Sequence, residues 1–242
     1  MPPAPPRLAW REFAKRLPGA RALALLGRRI ADPEYREIHR LQAHEAGQLF
    51  QPYPTTRADR YPQLFDALAA RLAHLPQPRL LSFGCSSGEE VRALRQRMPN
   101  ARITGLDLNR RMIERARAAD PGALSHYRVA GAPLADERFH AVLAMAVFRH
   151  GELELHQPEA CTRYLPFARF AEGLAMLDAV LEPGGWLALY NQQFRLSDTP
   201  LALRYQAEDL TMAEPLTLLY GPDDQRLHGV RETAVLFRKL SA

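Results

Sequence analysis

The sequence predicts an α/β fold: a doubly wound parallel sheet whose last strand enters reversed, preceded by a helical extension. Three observations carry this. Residues 79–91, RLLSFGCSSGEEV, read as a strand, a glycine-bounded turn and a helix start, and Asp107 closes a second apolar run about 20 positions on. From Tyr61 onward short apolar runs alternate with amphipathic segments, the pattern of strands and helices in a right-handed crossover sheet. Two β-rich runs joined by GPDDQRLHG end the sequence, so the final strand is expected to run antiparallel to its neighbour.

The elements follow in order. MPPAPPR is a proline-rich start, and residues 10–17 and 21–30 form two short amphipathic helices broken at Pro18-Gly19. A third helix runs from Pro33 to about Phe50 and leads into the YPTTRADRYP turn. A helix over residues 63–74 precedes the first strand, residues 80–83. Glu89 opens the next helix, whose stripe of Val91, Leu94 and Met98 is stopped by Pro99. The second strand is Arg102–Asp107, and the helix Arg110–Ala119 turns Met112, Ile113 and Ala116 inward. Residues 126–130 are a third strand. Residues 139–148 are a fourth, nearly continuous in apolar residues, as a strand covered on both faces requires. A long helix, residues 163–181, buries Phe167, Phe170, Leu174 and Leu177 before Pro183-Gly184-Gly185 turns into a fifth strand at 186–191. The reversed pair is expected from residues 216–220 and 233–239.

The segment from Phe83 to Glu89 has the chemistry of a ligand cradle. Gly84 and Gly88 let backbone approach a ligand closely, and the helix behind them offers free N–H groups. A carboxylate at the tip of the next strand, Asp107 in ITGLD, accepts hydrogen bonds from ribose hydroxyls. The alternative is an ordinary αβ unit in which the glycines only make the turn and Asp107 caps the next helix.

These residues resemble the class I S-adenosylmethionine-dependent methyltransferases, whose first motif carries glycines at the places of Gly84, Ser86 and Gly88. Here the middle glycine is Ser86, and Ser82 stands where an acidic residue often precedes the first glycine. The resemblance runs from about Tyr61 to the C-terminus and includes LEPGGWLALYN. It implies a Rossmann-like sheet of seven strands with a reversed last strand, and S-adenosylmethionine as cofactor. Phe83, Gly84, Cys85, Ser86 and Gly88 would lie beside its methionine and ribose, with Asp107 on the ribose hydroxyls. Leu108 would lie against adenine and Met145 on the pocket wall, while Ala130-Gly131-Ala132 replaces the acidic adenine contact of many relatives by backbone. A nicotinamide enzyme of similar layout would more often place glycine at 84, 86 and 89. The chain divides into an extension over 1–60, which in the resembling family often covers the pocket, and a methyltransferase domain over 61–242.

Composition narrows the class further. The 242 residues are 47% hydrophobic, enough for a sizeable core. No apolar run approaches a membrane span, the longest being residues 141–148. Two cysteines, Cys85 and Cys161, without a secretory signal point to a reducing compartment, the cytoplasm, and no paired Cys or His spacing suggests a metal. The net charge of +5 is carried almost wholly by arginine, since Lys15 and Lys239 are the only lysines. Those arginines alternate with glutamates on helix faces, which favours solvated surfaces over a nucleic-acid track.

The acceptor is expected in the stretch FRHGELELHQPEACTR after the fourth strand. His150 is the candidate proton acceptor, because imidazole titrates near neutrality and the strand end aims it at the cleft. Tyr190 and Asn191 stand at the tip of the fifth strand. The Asn-Pro-Pro-aromatic motif of base-modifying enzymes is missing. GCSSGEE matches the first motif of chemotaxis-receptor glutamate methyltransferases, but VRAL follows and their later asparagine motif is absent. The expected activity is methyl transfer to a small-molecule acceptor; protein carboxyl or RNA methylation and a non-catalytic binding module are the alternatives.

Overall fold

A computed structural model of the chain describes residues 31–210, 212 and 217–241. The helices expected over 10–17 and 21–30 lie outside them. Thirteen principal elements build the described part: α1 (Pro33–His44), α2 (Pro62–Leu72), β1 (Arg79–Phe83), α3 (Glu89–Arg97), β2 (Arg102–Asp107), α4 (Arg110–Ala119), β3 (Ser125–Val129), β4 (Phe139–Met145), α5 (Gly151–His156), α6 (Phe167–Val180), β5 (Leu181–Tyr190), β6 (Tyr205–Ala207) and β7 (Leu236–Lys239). The strands form one Rossmann-like seven-stranded sheet in the order β3-β2-β1-β4-β5-β7-β6. β1 pairs in parallel with β2 and β4, β2 with β3, and β4 with β5, whereas β7 runs antiparallel to both β5 and β6.

Alternation along the strands sorts the core into two layers. Leu81 and Phe83 of β1 face one side with Val142, Ala144, Leu187 and Leu189, where Phe170, Leu174 and Leu177 of α6 cover them. Leu80 faces the other with Ile103, Ala141 and Leu143, under Leu64, Phe65 and Leu68 of α2, Leu94 of α3 and Ile113 of α4. Both faces of the central strands are therefore dry, which is why they read as unbroken apolar runs. Each leucine so buried contributes about 1.5–3 kcal/mol from the area removed from water.

Several boundaries differ from the sequence reading. α1 ends at His44, because Glu45 leaves helical geometry, and residues 45–61 continue as an irregular strap. β4 stops at Met145, since Ala146 has φ +58° and turns the chain away from the sheet. α6 begins at Phe167 behind Pro166. β5 starts five residues early: Leu181 already pairs with Phe139, and Pro183-Gly184-Gly185 forms an irregularity before Trp186 meets Ala141. The edge strand is β6 at Tyr205–Ala207; of the expected 216–220, residue 216 lies outside the described residues, and among 217–220 Tyr220 makes an isolated bridge with Arg226. The missed edge is three residues long, too short to show a period of two.

The reversed edge is locked by buried charge. Lys239, 6% exposed, donates from Nζ to the carbonyls of Asp178 (2.6 Å) and Leu181 (2.8 Å) and pairs with the Asp178 carboxylate at 3.2 Å. Tyr205 Oη donates to the same carboxylate at 2.7 Å, and Arg204 pairs with it at 2.6 Å. A helix, two strands and the bend between them thus share one ion cluster. No helix among the described residues is long and apolar enough to cross a membrane.

Candidate functional site

The C-terminal ends of β1, β2 and β4 open into a cleft enclosing about 720 Å³ of space continuous with solvent. This is where ligands sit in doubly wound sheets. Its walls include Phe83, Gly84 and Ser86 after β1, Asp107, Leu108 and Asn109 after β2, Ala130 and Gly131 after β3, and Met145 with Ala146 and Val147 after β4. Residues 48–55 of the strap complete the mouth.

The β1 loop is held by backbone bonds. The N–H groups of Gly84 and Cys85 both donate to the Leu106 carbonyl, at 2.8 and 2.9 Å, and that of Gly88 donates to the Cys85 carbonyl at 3.0 Å. Gly84 has φ +72°, and a Cβ there would lie 2.5 Å from Val147. Gly88, φ +83°, begins α3 with no side-chain cap, its Cα packed against Tyr127 and Ala116. Between them Ser86 takes φ +50°, a left-handed conformation costly for a residue with a Cβ. Its Oγ is buried without a hydrogen-bond partner among the described residues.

Asp107 joins two loops. Its Oδ2 accepts from the Ser86 N–H at 2.9 Å and its Oδ1 from the Asn109 N–H at 2.7 Å. Burial pushes the carboxyl up, opposed by these two donors. The α4 N-terminus is capped instead by Asn109, whose Oδ1 accepts from Met112 N–H at 3.2 Å. Asp107 is thus not the helix cap of the ligand-free alternative. Each of its oxygens keeps a lone pair for a further donor, and the residue lines the cleft.

Of the predicted residues, Phe83, Gly84, Ser86, Asp107, Leu108 and Met145 come together on this wall. Cys85 and Gly88 lie behind it. Cys85 packs its thiol below the loop in the apolar layer beside Gly105 and Tyr127, where burial pushes the thiol well up. His150 is not in the cleft lining. It caps α5, its Nδ1 accepting from Glu152 N–H at 3.3 Å, its own N–H donating to Gln193 Oε1 at 2.8 Å and its ring beside Tyr164. The reason is the turn at Ala146, which redirects the chain two residues before the expected end of the strand. Burial lowers the His150 pKa, which disfavours its charged form.

Sequence reasoning missed the strap and a second chamber. Phe50 packs edge-on against Phe83 and Phe148, the Leu49 carbonyl accepts from Arg169 at 2.7 Å, and Tyr53 Oη donates to Glu152 at 2.8 Å. The prolines of QPYP could have signalled an extended, fixed segment. The chamber, a small hollow open to solvent, adjoins the cleft through Thr55, Gly84, Ser86 and Met145, and Arg57, Arg60, Tyr61 and Glu90 line it. Nothing in the spacing of EEV marks Glu90 as facing a cavity.

A family profile described as a methyltransferase domain matches residues 80–185, the span from β1 into β5. A carboxy-S-adenosyl-L-methionine synthase from Aeromonas salmonicida is 36% identical over 138 residues, which are 55% of this chain and 51% of that protein. A trans-aconitate 2-methyltransferase from Streptomyces coelicolor is 47% identical over 55 residues, 22% of this chain and 18% of that protein. The chain spans about half the length of the synthases it matches. Among solved structures, a plantazolicin methyltransferase with bound SAH superposes with a TM-score of 0.41 at 15% identity, over 74% of this chain and 60% of that one.

Proposed function

We propose that the chain is an S-adenosylmethionine-dependent methyltransferase acting on a small-molecule acceptor. The observation that carries the reading is the Asp107 carboxylate, held between the β1 and β2 loops with acceptor capacity to spare, in a cleft open to solvent at the strand ends. The unpartnered Ser86 hydroxyl beside it is a second polar group that a ligand would satisfy. When bound, the cofactor supplies an electrophilic methyl on a sulfonium.

The chain's part is orientation and exclusion of water. Asp107 would hold the ribose hydroxyls, Leu108 and the backbone of Ala130 and Gly131 the adenine, and Met145 the wall facing the methyl. Methyl transfer disperses charge rather than creating it, so a closed, aligned site supplies most of the assistance. The strap, stapled by Phe50, Leu49 and Tyr53, would act as the cover, which extends the role assigned to residues 1–60. His150, which is outside the cleft lining, is given no proton-transfer role in this reading.

A small acceptor is favoured over a polyanion because many arginines are spent internally. Arg97 pairs with Asp59 and Asp66, Arg117 donates to the Tyr127 carbonyl, and Arg95 donates to the Leu124 carbonyl. These described arginines are not free to track phosphates. The two cysteines are free and buried, in keeping with a reducing compartment such as the cytoplasm.

The test is incubation with methyl-labelled S-adenosylmethionine and fractionated cell extract. Label in the small-molecule fraction supports the reading. Label in RNA or protein alone replaces the acceptor class, and no label from any fraction contradicts methyl transfer.

A further inference from the structure

Apart from the cleft and the chamber, a further hollow opens at the carboxyl end of β5. Residues 190–192, residues 217 and 219 and the run 230–235 that leads into β7 enclose it. Tyr61 lines the chamber and Tyr190 lines the hollow, and their rings meet edge to face at 5.1 Å. The Asn191 side chain ties the two walls together: its Nδ2 donates to Tyr61 Oη at 3.2 Å, and its Oδ1 accepts from Thr217 Oγ1 at 3.4 Å.

Asn191 is therefore spent, whereas the next residue is not. Asn191 takes φ +55°, so the chain leaves the strand there, and Gln192 behind it is only 5% exposed. Its Oε1 is buried without a hydrogen-bond partner among the described residues. A buried carbonyl oxygen without a donor carries its full desolvation penalty, so such a group in a pocket wall calls for a ligand.

The opposite wall supplies a carboxylate. Glu232 is half-buried, its Oε1 accepts from the Ala234 N–H at 2.9 Å, and burial pushes its carboxyl up. Arg195, whose charge acts on it, is already bound to both oxygens of Asp198, at 2.8 and 2.7 Å. Arg231 also lines the hollow, but it is engaged by an interaction of its own. The lining thus offers acceptor oxygens short of donors, one of them anionic. An anionic ligand would leave both unmatched, whereas an ammonium brings several N–H donors and the complementary charge.

The hollow is also within reach of the cleft. Tyr190 is the register partner of Met145, which lines the cleft one strand spacing away, about 4.8 Å. A molecule whose reacting atom lies at the Met145 wall can place its other end in the hollow.

We propose that this hollow selects the methyl acceptor as an amine, Glu232 and Gln192 binding an ammonium group at the end of the molecule remote from the transferred methyl. The inference rests on the reading that the chain methylates a small molecule. Neither residue meets the reacting atoms, so both determine specificity.

The test divides the small molecules of cell extract on a cation exchanger at neutral pH and offers each pool to the full chain with methyl-labelled S-adenosylmethionine. Label is expected in the retained, cationic pool. In Glu232→Gln the amount of that pool needed for half-maximal labelling should rise roughly 10-fold or more, the range of a lost charged hydrogen bond, with the maximal rate within about threefold. Gln192→Met keeps the side-chain length, removes Oε1 and should shift half-saturation in the same direction. S-adenosylhomocysteine affinity in calorimetry should stay within about twofold in both variants, which separates acceptor binding from loss of fold. Label confined to the unretained pool would overturn the assignment, as would unchanged half-saturation in both variants. An unmodified chain that labels neither pool would overturn the methyl-transfer reading beneath it.

Discussion

The parallel half of the sheet and its reversed edge are built on different physics. In the parallel half β1, β2 and β4 pass through apolar layers and end in loops whose geometry is set by backbone bonds and small residues, Gly84, Gly88 and Gly105 among them. At the edge, β6 and β7 are three and four residues long and are held to α6 by the Asp178–Lys239–Tyr205 cluster. The difference teaches where function can reside. Strand ends tied by backbone leave side chains such as Asp107 and Glu90 free to meet a ligand, whereas the edge spends its charges on itself.

The contrast breaks most visibly at Lys239. Lys239→Met leaves two buried carbonyls without their donor and the Asp178 carboxylate with only Arg204 and Tyr205 as partners, and the expected cost is about 2–3 kcal/mol in urea unfolding. A loss under about 1 kcal/mol would mean that apolar packing holds the edge. On the parallel side Gly105→Ala is expected to cost about 1–3 kcal/mol, because the new methyl would sit 2.8 Å from Tyr127 and 2.9 Å from the Cys85 thiol. Since Cys85 underlies the β1 loop, that variant should also weaken nucleoside binding, which Lys239→Met should leave largely intact in its folded fraction.

Glu90 sharpens the comparison through pH. Its carboxyl is raised from 4.5 to about 7 in the folded chain, which therefore keeps a proton that the unfolded chain has lost across that interval. Stability from this group is present at low pH and declines as pH climbs through 7. Glu90→Gln should flatten that decline and exceed the unmodified chain in stability at pH 8, read from thermal unfolding in the two buffers. The smallest effect is expected at His150: His150→Ala removes a weak helix cap, about 0.5–1 kcal/mol, and leaves ligand affinity unchanged in titration.

The parallel half was legible because its signals are local. Leu80, Ile103 and Val142 announce strands covered on both sides, Gly84 and Gly88 announce a turn, and Asp107 follows at the spacing a ribose contact needs. The edge was not, since Tyr205–Ala207 is too brief for a pattern and its cluster joins residues about 60 positions apart in sequence. The place of His150 outside the cleft lining was hidden for a related reason. Apolar continuity from Ala141 to Phe148 conceals the turn at Ala146, where φ is +58°. Glu90 and the strap were invisible because a cavity is a property of elements brought together, and no single segment records it.

The measurement that bears most directly on the account is calorimetric titration of the full chain and of Asp107→Ala with S-adenosylmethionine and S-adenosylhomocysteine. The account predicts micromolar binding of both by the unmodified chain and a loss of at least about tenfold in the variant, at unchanged secondary structure. Binding that is absent from the unmodified chain, or that survives the substitution undiminished, would contradict it.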